Sequence, residues 1–209
     1  AAMSRPLLIT DCDEVLLHMV VPFAEWLDEV HHIHFDLDLG DFANALRHKA
    51  TGELVPGPNI WSLLQDFFRT EMPRQKAIDG AVDGINAIAA HADVVILTNL
   101  TDDFQAARTE QLRAVGIEFP VFTNQGGKGA LLRQIVTDYD PSVTVFVDDL
   151  GHNHSSVEEH APEVWRLHMV GEPRLATRIK PHGSAHARID DWATARQWIF
   201  ERFEGGPPD

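Results

Sequence analysis

The sequence predicts an α/β protein: a doubly wound, Rossmann-like parallel sheet with a small α-helical insert after its first strand. The sequence contains short apolar runs without the polar alternation of half-exposed strands. Such runs are typical of strands that are buried on both faces of a parallel sheet. Helical patterns separate these runs along the chain, which is typical of a parallel sheet. The first connection is far longer than a single crossover helix requires, and this predicts the insert.

The predicted strands are apolar runs rich in Val, Ile, Leu or Phe. They cover residues 6–10, 93–98, 120–123, 143–148 and 164–170.

Helical patterns lie between and after these runs. Residues 101–116 begin with a Thr cap and acids and end at a Gly, which are start and stop signals of a helix. Residues 127–139 and 190–203 repeat apolar side chains at helical spacing, and residues 77–91 are predicted to form a helix packed on the sheet.

About eighty residues separate Asp11 from the strand beginning at Asp93, where a βαβ crossover needs only a dozen or so plus its helix. The excess carries amphipathic helical patterns rather than low-complexity sequence, as at residues 59–68. We therefore predict an inserted helical domain. The predicted division is a core domain of residues 3–17 and 77–204, an inserted cap of residues 18–76 and a flexible tail of residues 205–209.

Composition limits the possible partners. The formal net charge of -15 argues against nucleic acid or an anionic membrane, because both are bound chiefly through Lys and Arg. No apolar stretch is long enough for a membrane span, and no secretory leader pattern is present. The single cysteine, Cys12, fits a reducing compartment, so a cytoplasmic location is expected.

Polar residues follow the predicted strands at the edge where parallel sheets bind ligands, outside the carboxyl ends of the strands. Two carboxylates about 4 Å apart repel by about 4 kcal/mol at an effective dielectric near 20, so acids gathered there must share a proton, point apart or share a cation. The residues in question are Asp11 and Asp13, Thr98 and Asn99, Lys128, and Asp148 and Asp149.

In this order and spacing, these residues resemble the phosphatase members of the haloacid dehalogenase superfamily. The sequence has "DCDEV" where those members carry Asp-x-Asp-x-(Val/Thr), and "ILTN" for the Thr or Ser after the second strand. "GGKG" supplies the Lys near a helix start, and "FVDDL" supplies the later acidic pair. The resemblance covers essentially the whole chain, including the insert in the position of a cap domain.

The resemblance implies an enzyme that hydrolyses phosphate monoesters. Asp11 would be the nucleophile that forms an aspartyl-phosphate, and Asp13 would be the general acid and then the general base. A carboxylate at the position of Asp13 favours phosphate esters, because relatives that displace halide from carbon lack one there. To face the same way as Asp11, Asp13 needs a bend after the strand.

The resemblance also implies the groups that bind metal and phosphate. Mg²⁺ would be bound by Asp11 and Asp148, with the backbone carbonyl of Asp13 also reaching it and Asp149 holding a metal-bound water or orienting Lys128. The Thr98 hydroxyl and the Asn99 N–H would bind phosphoryl oxygens, while Lys128 would offset negative charge.

The insert is expected to select a small phosphorylated metabolite. Arg47 and Lys49 belong to its one basic cluster and are candidates to bind a second anionic group of the substrate. The histidines of residues 31–34 and 152–154 lack Cys partners or zinc-helix spacing, so a metal site there is not expected. Glu14 stands where Gly is commoner in this motif, so its side chain either turns into solvent or adds negative charge near the site.

Three alternatives stay open at this point. A phosphotransferase or mutase would use the same aspartyl-phosphate, and a non-catalytic relative would bind phosphate or a protein partner. A receiver domain also combines aspartates, Thr and Lys, but its acidic pair comes first and it needs only about half this length.

Overall fold

The computed structural model describes residues 4–39 and 41–209. Its strands are β1 (Leu7–Thr10), β2 (Ile33–Phe35), β3 (Leu46–His48), β4 (Asp93–Asn99), β5 (Val121–Asn124), β6 (Thr144–Asp148), β7 (Trp165–His168) and β8 (Ala187–Arg188). Its helices are α1 (Val20–His31), α2 (Phe42–Ala45), α3 (Gly57–Thr70), α4 (Ala81–Ala89), α5 (Gln105–Ala114), α6 (Gly129–Tyr139), α7 (Gly151–His160), α8 (Pro173–Ala176) and α9 (Trp192–Gly205).

A six-stranded sheet in the order β5-β4-β1-β6-β7-β8 forms the centre of the protein, and all of its strand pairs are parallel. The predicted doubly wound α/β class is confirmed. Because β1 lies between β4 and β6, the ends of these three strands lie side by side at one edge of the sheet.

Both faces of the sheet are covered, as the unalternating apolar runs predict. In β1, Leu8 packs into a cluster with Ile85 of α4 and Ile199 of α9. Leu7 and Ile9, which point to the opposite face, pack with side chains of α6 and α7.

The insert has its own apolar core, in which Phe23 of α1 packs against Phe35 of β2 and Phe67 of α3. The predicted α-helical insert also contains a short antiparallel ribbon, formed by β2 and β3, which was not predicted. Each of these strands is only three residues long, which is too short for a period-2 pattern to be recognised in sequence.

Two segments join the insert to the sheet, and they are hydrogen-bonded to each other. Leu17 and Ala77 form an antiparallel bridge, and the N–H of His18 donates to the carbonyl of Lys76 at 2.8 Å. The predicted boundaries at residues 17/18 and 76/77 fall at this bridge and stay a prediction, as does the flexible tail.

Three elements of the core were not predicted. Helix α7 has few good helix formers and Val157 as its one buried aliphatic residue, α8 is only four residues long, and β8 is a two-residue edge strand. The predicted helix at 101–116 begins with a 3₁₀ turn over Asp102–Phe104 before α5. Within the described residues, no helix combines the length and the apolar character that crossing a bilayer requires.

Trp192 of α9 is hydrogen-bonded to the loop that follows β1. Its ring is buried, and its indole N–H donates to the carbonyl of Val15 at 2.8 Å. A Cβ at Gly84 of α4 would lie 3.0 Å from this ring, so the glycine allows the close approach of α4 and α9.

Replacing Trp192 by Phe should lower the free energy of unfolding by about 2 kcal/mol, because the buried carbonyl of Val15 loses its donor and the smaller ring leaves space. Urea denaturation measures this value. Trp198→Phe, at a half-buried Trp on the same helix, is the matched control and should cost less. An equal cost for both variants would contradict this role of Trp192.

Candidate active site

The loop after β1 brings Asp11 and Asp13 to the same side. The N–H of Asp11 donates to the carbonyl of Val147 at 2.8 Å, so Asp11 continues the strand pairing beside β6. The chain then turns tightly, with the N–H groups of Leu16 and Leu17 donating to the carbonyl of Cys12 at 2.7 and 3.1 Å. This is the bend that the sequence requires if both aspartates are to face one cavity.

Glu14 occupies the bend with a φ of 65°, a left-handed conformation that Gly adopts without steric cost. Its side chain is buried rather than turned into solvent, and Oε1 accepts a hydrogen bond from the N–H of Met19 at 2.8 Å. Burial raises the pKa of Glu14 to about 8, a shift that the Met19 bond opposes and Asp13 reinforces. Glu14 is therefore largely uncharged at neutral pH and adds little negative charge to the site.

Asp11 is held by two donors on the same oxygen. Its Oδ1 accepts from the N–H of Cys12 at 2.8 Å and from Nζ of Lys128 at 2.9 Å. Burial, followed by the charge of Asp148, raises the pKa of Asp11 to about 6, while Lys128 acts in the opposite direction. Its other oxygen, Oδ2, accepts neither of these bonds.

Three carboxylates form a cluster that could hold a metal ion. Asp11, Asp148 and Asp149 each offer one oxygen, and these atoms lie within 4.8 Å of one another. Burial, followed by Asp11 and Asp148, raises the pKa of Asp149 well above its ordinary value. Three oxygens under mutual repulsion fit a hard divalent cation such as Mg²⁺. Asn153, which donates to Asp148 at 3.2 Å, has a buried Oδ1 beside this cluster that finds no hydrogen-bond partner among the described residues.

Lys128 reaches the cluster from the start of α6. Its ammonium contacts Asp11 Oδ1 at 2.9 Å and Asp148 Oδ2 at 2.6 Å, and its side chain is buried. Burial alone would lower the pKa of Lys128, but the two carboxylates outweigh it and raise the pKa. The glycine after it permits this position, because a Cβ at Gly129 would overlap the backbone of Ser156 on α7.

Thr98 and Asn99 end β4 beside Asp11. The Thr98 hydroxyl is fully buried, has no hydrogen-bond partner among the described residues and does not line the cavity described below. The Asn99 side chain instead holds the loop after β5, with Nδ2 donating to the carbonyl of Gly126 at 3.0 Å. Asn124 donates to Asn99 Oδ1 at 3.1 Å and completes this support.

Asp13 is held by two residues that sequence reasoning missed. Gln75 Nε2 donates to its Oδ1 at 2.8 Å, and Arg108 Nη2 donates to its Oδ2 at 2.8 Å. Arg108 is fully buried, and its Nη1 also donates to Gln111 at 2.9 Å. Neither Gln75 nor Arg108 follows a strand of the sheet, so the strand-end pattern carries no signal for them.

Two buried histidines support the acidic pair through its backbone. His154 Nε2 lies 2.9 Å from the carbonyl oxygen of Asp148, and His168 Nε2 lies 2.8 Å from that of Asp149. Burial lowers the pKa of both rings, His154 to about 4, so both are neutral at pH 7. His168 Nδ1 accepts from the N–H of His182, and its Nε2 therefore carries the proton donated to Asp149.

The structure places Arg47 and Lys49 away from these residues. Arg47 lies on β3 and donates to the carbonyl of Gly52 at 2.8 Å, while Lys49 pairs with Asp28. Neither lines the cavity described next, so their substrate-binding role stays a prediction without support from their position. The histidines of residues 31–34 are not part of any metal-binding cluster found among the described residues, where only the aspartate cluster has suitable geometry.

A cavity of about 430 Å³ lies between the sheet edge and the insert. Asp11, Asp13, Asn99, Lys128 and Asp149 are among the polar residues of its wall. Much of the remaining wall is apolar and comes from both the insert and the core. Of the candidate catalytic residues, Asp11, Asp13 and Lys128 therefore share one ligand-sized space, whereas Thr98 is not part of its wall.

Solved structures with the same fold belong to haloacid dehalogenase-like proteins. A hydrolase of that family from Streptococcus pneumoniae has a TM-score of 0.64 at 9% identity, covering 92% of this chain and 97% of its own. A family hydrolase from Xanthomonas campestris has a TM-score of 0.59 at 15% identity, with 96% of both chains covered. No protein-family model matches the sequence, and no curated protein matches it.

A third structure is that of D,D-heptose 1,7-bisphosphate phosphatase from B. bronchiseptica, complexed with magnesium and phosphate. It has a TM-score of 0.51 at 14% identity, covering 94% of this chain and 98% of its own. The chain therefore has the fold of the haloacid dehalogenase superfamily, as the sequence motifs predict.

Glu14→Gln should reduce the dependence of stability on pH. The folded protein holds the Glu14 proton up to about pH 8, whereas the unfolded chain releases it near 4.5, so unfolding becomes easier as pH rises between these values. The slope is at most about 1.4 kcal/mol per pH unit. Gln keeps the acceptor for Met19 but cannot ionise.

Urea denaturation at a series of pH values between 5 and 8.5 measures the difference between the two proteins. The advantage of Glu14→Gln over the unchanged chain should grow with pH across this window. Glu159→Gln, at an exposed position of α7, is the control and should track the unchanged chain. Parallel stability curves for all three proteins would show that Glu14 is ionised in the folded state.

Proposed function

We propose that this chain, with its haloacid dehalogenase fold, is a magnesium-dependent phosphomonoesterase that hydrolyses a small phosphorylated metabolite through an aspartyl-phosphate. The observation that carries the proposal is the shared cavity, whose wall includes two aspartates of the strand-end motif, a buried lysine and an aspartate of the acidic pair. Magnesium in a distant structural relative, complexed with phosphate as well, is consistent with the same chemistry.

In the first half-reaction, a carboxylate oxygen of Asp11 attacks the phosphorus atom. The bond from phosphorus to the ester oxygen breaks, and Asp13 donates a proton to that oxygen so that the product leaves as an alcohol. The Thr98 hydroxyl, which is buried and has no hydrogen-bond partner in the described part of the chain, would donate to a phosphoryl oxygen as charge builds on it. Lys128 keeps Asp11 Oδ1 turned away from phosphorus and offsets negative charge.

In the second half-reaction, Asp13 has become a carboxylate and removes a proton from a water molecule. The water oxygen attacks phosphorus, the bond to Asp11 breaks, and phosphate leaves with the Asp11 carboxylate restored. Gln75 and Arg108 keep Asp13 facing the cavity through both steps.

Asp11, Asp148 and Asp149 would hold Mg²⁺, with Asn153 Oδ1 as a nearby acceptor for a metal-bound water. The ion supplies positive charge that lets carboxylates and phosphate approach one another. A phosphotransferase or mutase would share the first half-reaction and deliver the phosphoryl group to a substrate hydroxyl instead of water, so it remains the second candidate.

Asp11→Asn should lower the rate of phosphate release at least about 1,000-fold, because a neutral amide is a poor nucleophile toward phosphorus. The assay measures inorganic phosphate from p-nitrophenyl phosphate and a panel of phosphorylated metabolites, with Mg²⁺ and with a chelator. Activity should require the metal. Asp138→Asn, an exposed aspartate on α6, is the matched control and should retain full activity.

Absence of turnover from folded, Mg²⁺-loaded protein would contradict the phosphatase proposal. The panel would then be repeated with alcohol and sugar acceptors, where transfer of phosphate would support the phosphotransferase.

Arg108→Met should reduce kcat by about 30-fold, roughly 2 kcal/mol, with a smaller change in KM, because Asp13 loses the donor that fixes its position. Arg108→Lys keeps the charge and should recover part of the loss. In an Asp13→Asn background, Arg108→Met should have little further effect on kcat, because the two residues act together. Additive losses in the double variant would contradict this coupling, and thermal unfolding checks that each variant is folded.

A further inference from the structure

The cavity has a polar floor and an apolar upper part. The floor consists of the candidate catalytic residues, while the upper part, here called the apolar chamber, is not used by the proposed chemistry. The apolar chamber is lined by Phe42, Trp61, Leu64, Phe68, Phe104 and Leu150.

Aromatic rings form much of the apolar chamber, and they come from both parts of the protein. Phe42 of α2, Trp61 and Phe68 of α3 belong to the insert, whereas Phe104 precedes α5 of the core. Phe68 and Phe104 are in edge-to-face contact at a centroid distance of 6.4 Å. Such faces suit a planar apolar group, which gains dispersion and aromatic contacts between them.

Two apolar side chains of the chamber are exposed. Trp61 is 55% exposed and Leu150 is 44% exposed, and these two side chains line the same cavity from the insert and from the core. Exposed apolar surface that faces a cavity costs free energy in water and marks a binding surface for an apolar group.

The six described residues that line the chamber include no Lys or Arg that could pair with a second anionic group. Among the described residues lining the cavity, Lys128 is the only Lys or Arg, and its ammonium already contacts two carboxylates on the floor. The guanidinium of Arg108 stacks 5.2 Å from the ring centroid of Phe68 and is engaged with Asp13. A second phosphate or a carboxylate there would find no Lys or Arg, and His152 and Gln65 are the further side chains of the described wall that could donate to it.

We infer that the apolar chamber binds the alcohol part of the substrate, and that this part is an uncharged, arylalkyl-sized apolar group carrying a single phosphate. The inference rests on the proposed phosphatase function, because it takes the floor of the same cavity as the phosphate site. The volume of about 430 Å³ accommodates a phosphate and one aromatic ring system.

The test compares esters whose leaving alkoxides have similar basicity, so that intrinsic reactivity does not decide the result. With 2-phenylethyl phosphate, kcat/KM should exceed that of ethyl phosphate at least about 30-fold, because a phenyl ring leaves water. With 2-phosphoglycolate, which places a carboxylate in the chamber, kcat/KM should fall below that of ethyl phosphate.

Variants locate the preference in the chamber. Trp61→Ala should reduce the ratio of kcat/KM for 2-phenylethyl over ethyl phosphate about tenfold, and Trp61→Phe should recover much of it. Val30→Ala, at an exposed apolar residue of α1 that does not line the cavity, is the matched control and should leave the ratio unchanged.

A binding measurement separates this inference from the proposed function. In calorimetry with Mg²⁺ present, 3-phenylpropylphosphonate should bind at least about tenfold more tightly than propylphosphonate, whether or not any ester is hydrolysed. Phenyl-selective binding without turnover would support the chamber and overturn the phosphatase. Turnover without phenyl preference, or with preference for 2-phosphoglycolate, would support the phosphatase and overturn the chamber.

Discussion

The buried lysine between two aspartates is the interaction on which the rest of the site depends. The ends of β1 and β6 bring Asp11 and Asp148 together, and their charges would repel in a volume from which water is largely excluded. Lys128 contacts both at 2.9 and 2.6 Å and offsets one of the negative charges. Burial, followed by the neighbouring carboxylates, still raises the pKa values of Asp11 and Asp149, and three oxygens of Asp11, Asp148 and Asp149 lie close enough to hold a metal ion.

Lys128 can occupy this position only because α6 and α7 pack closely at their contact. Gly129 brings the two backbones together, and its N–H donates to Ser156 Oγ at 2.9 Å. The same helix α7 supplies Asn153 and His154, which bond to the side chain and the backbone carbonyl of Asp148. Helix α7 therefore packs against the start of α6, where Lys128 lies, and also holds Asp148, one of the two carboxylates that Lys128 contacts.

The sequence predicts the residues that follow strands and misses those that do not. Asp11, Lys128 and Asp148 could be placed because parallel strands end at one edge, and the chemistry of each residue type then suggests its role. Gln75 and Arg108 could not, since one lies in the return segment from the insert and the other in the middle of α5. Their contact with Asp13 joins residues 62 and 95 positions apart, which no local pattern records. Arg47 and Lys49 were selected for their charge alone, and charge does not indicate which way the β2–β3 ribbon faces. The structure pairs them with Gly52 and Asp28, and their binding of substrate remains a prediction.

Arg108 connects Asp13 to the aromatic wall of the cavity. Its guanidinium forms an ion pair with Asp13. The same guanidinium lies 5.2 Å from the ring centroid of Phe68, which lines the apolar chamber. Because Phe68 belongs to the insert and Arg108 to the core, a shift of the insert moves an aromatic partner of the group that holds Asp13. Under the proposed function, a substrate that packs against Phe68 would stabilise the insert in the position in which Arg108 and Gln75 orient Asp13. Binding of the apolar group and alignment of the proposed proton donor would then be parts of one packing arrangement.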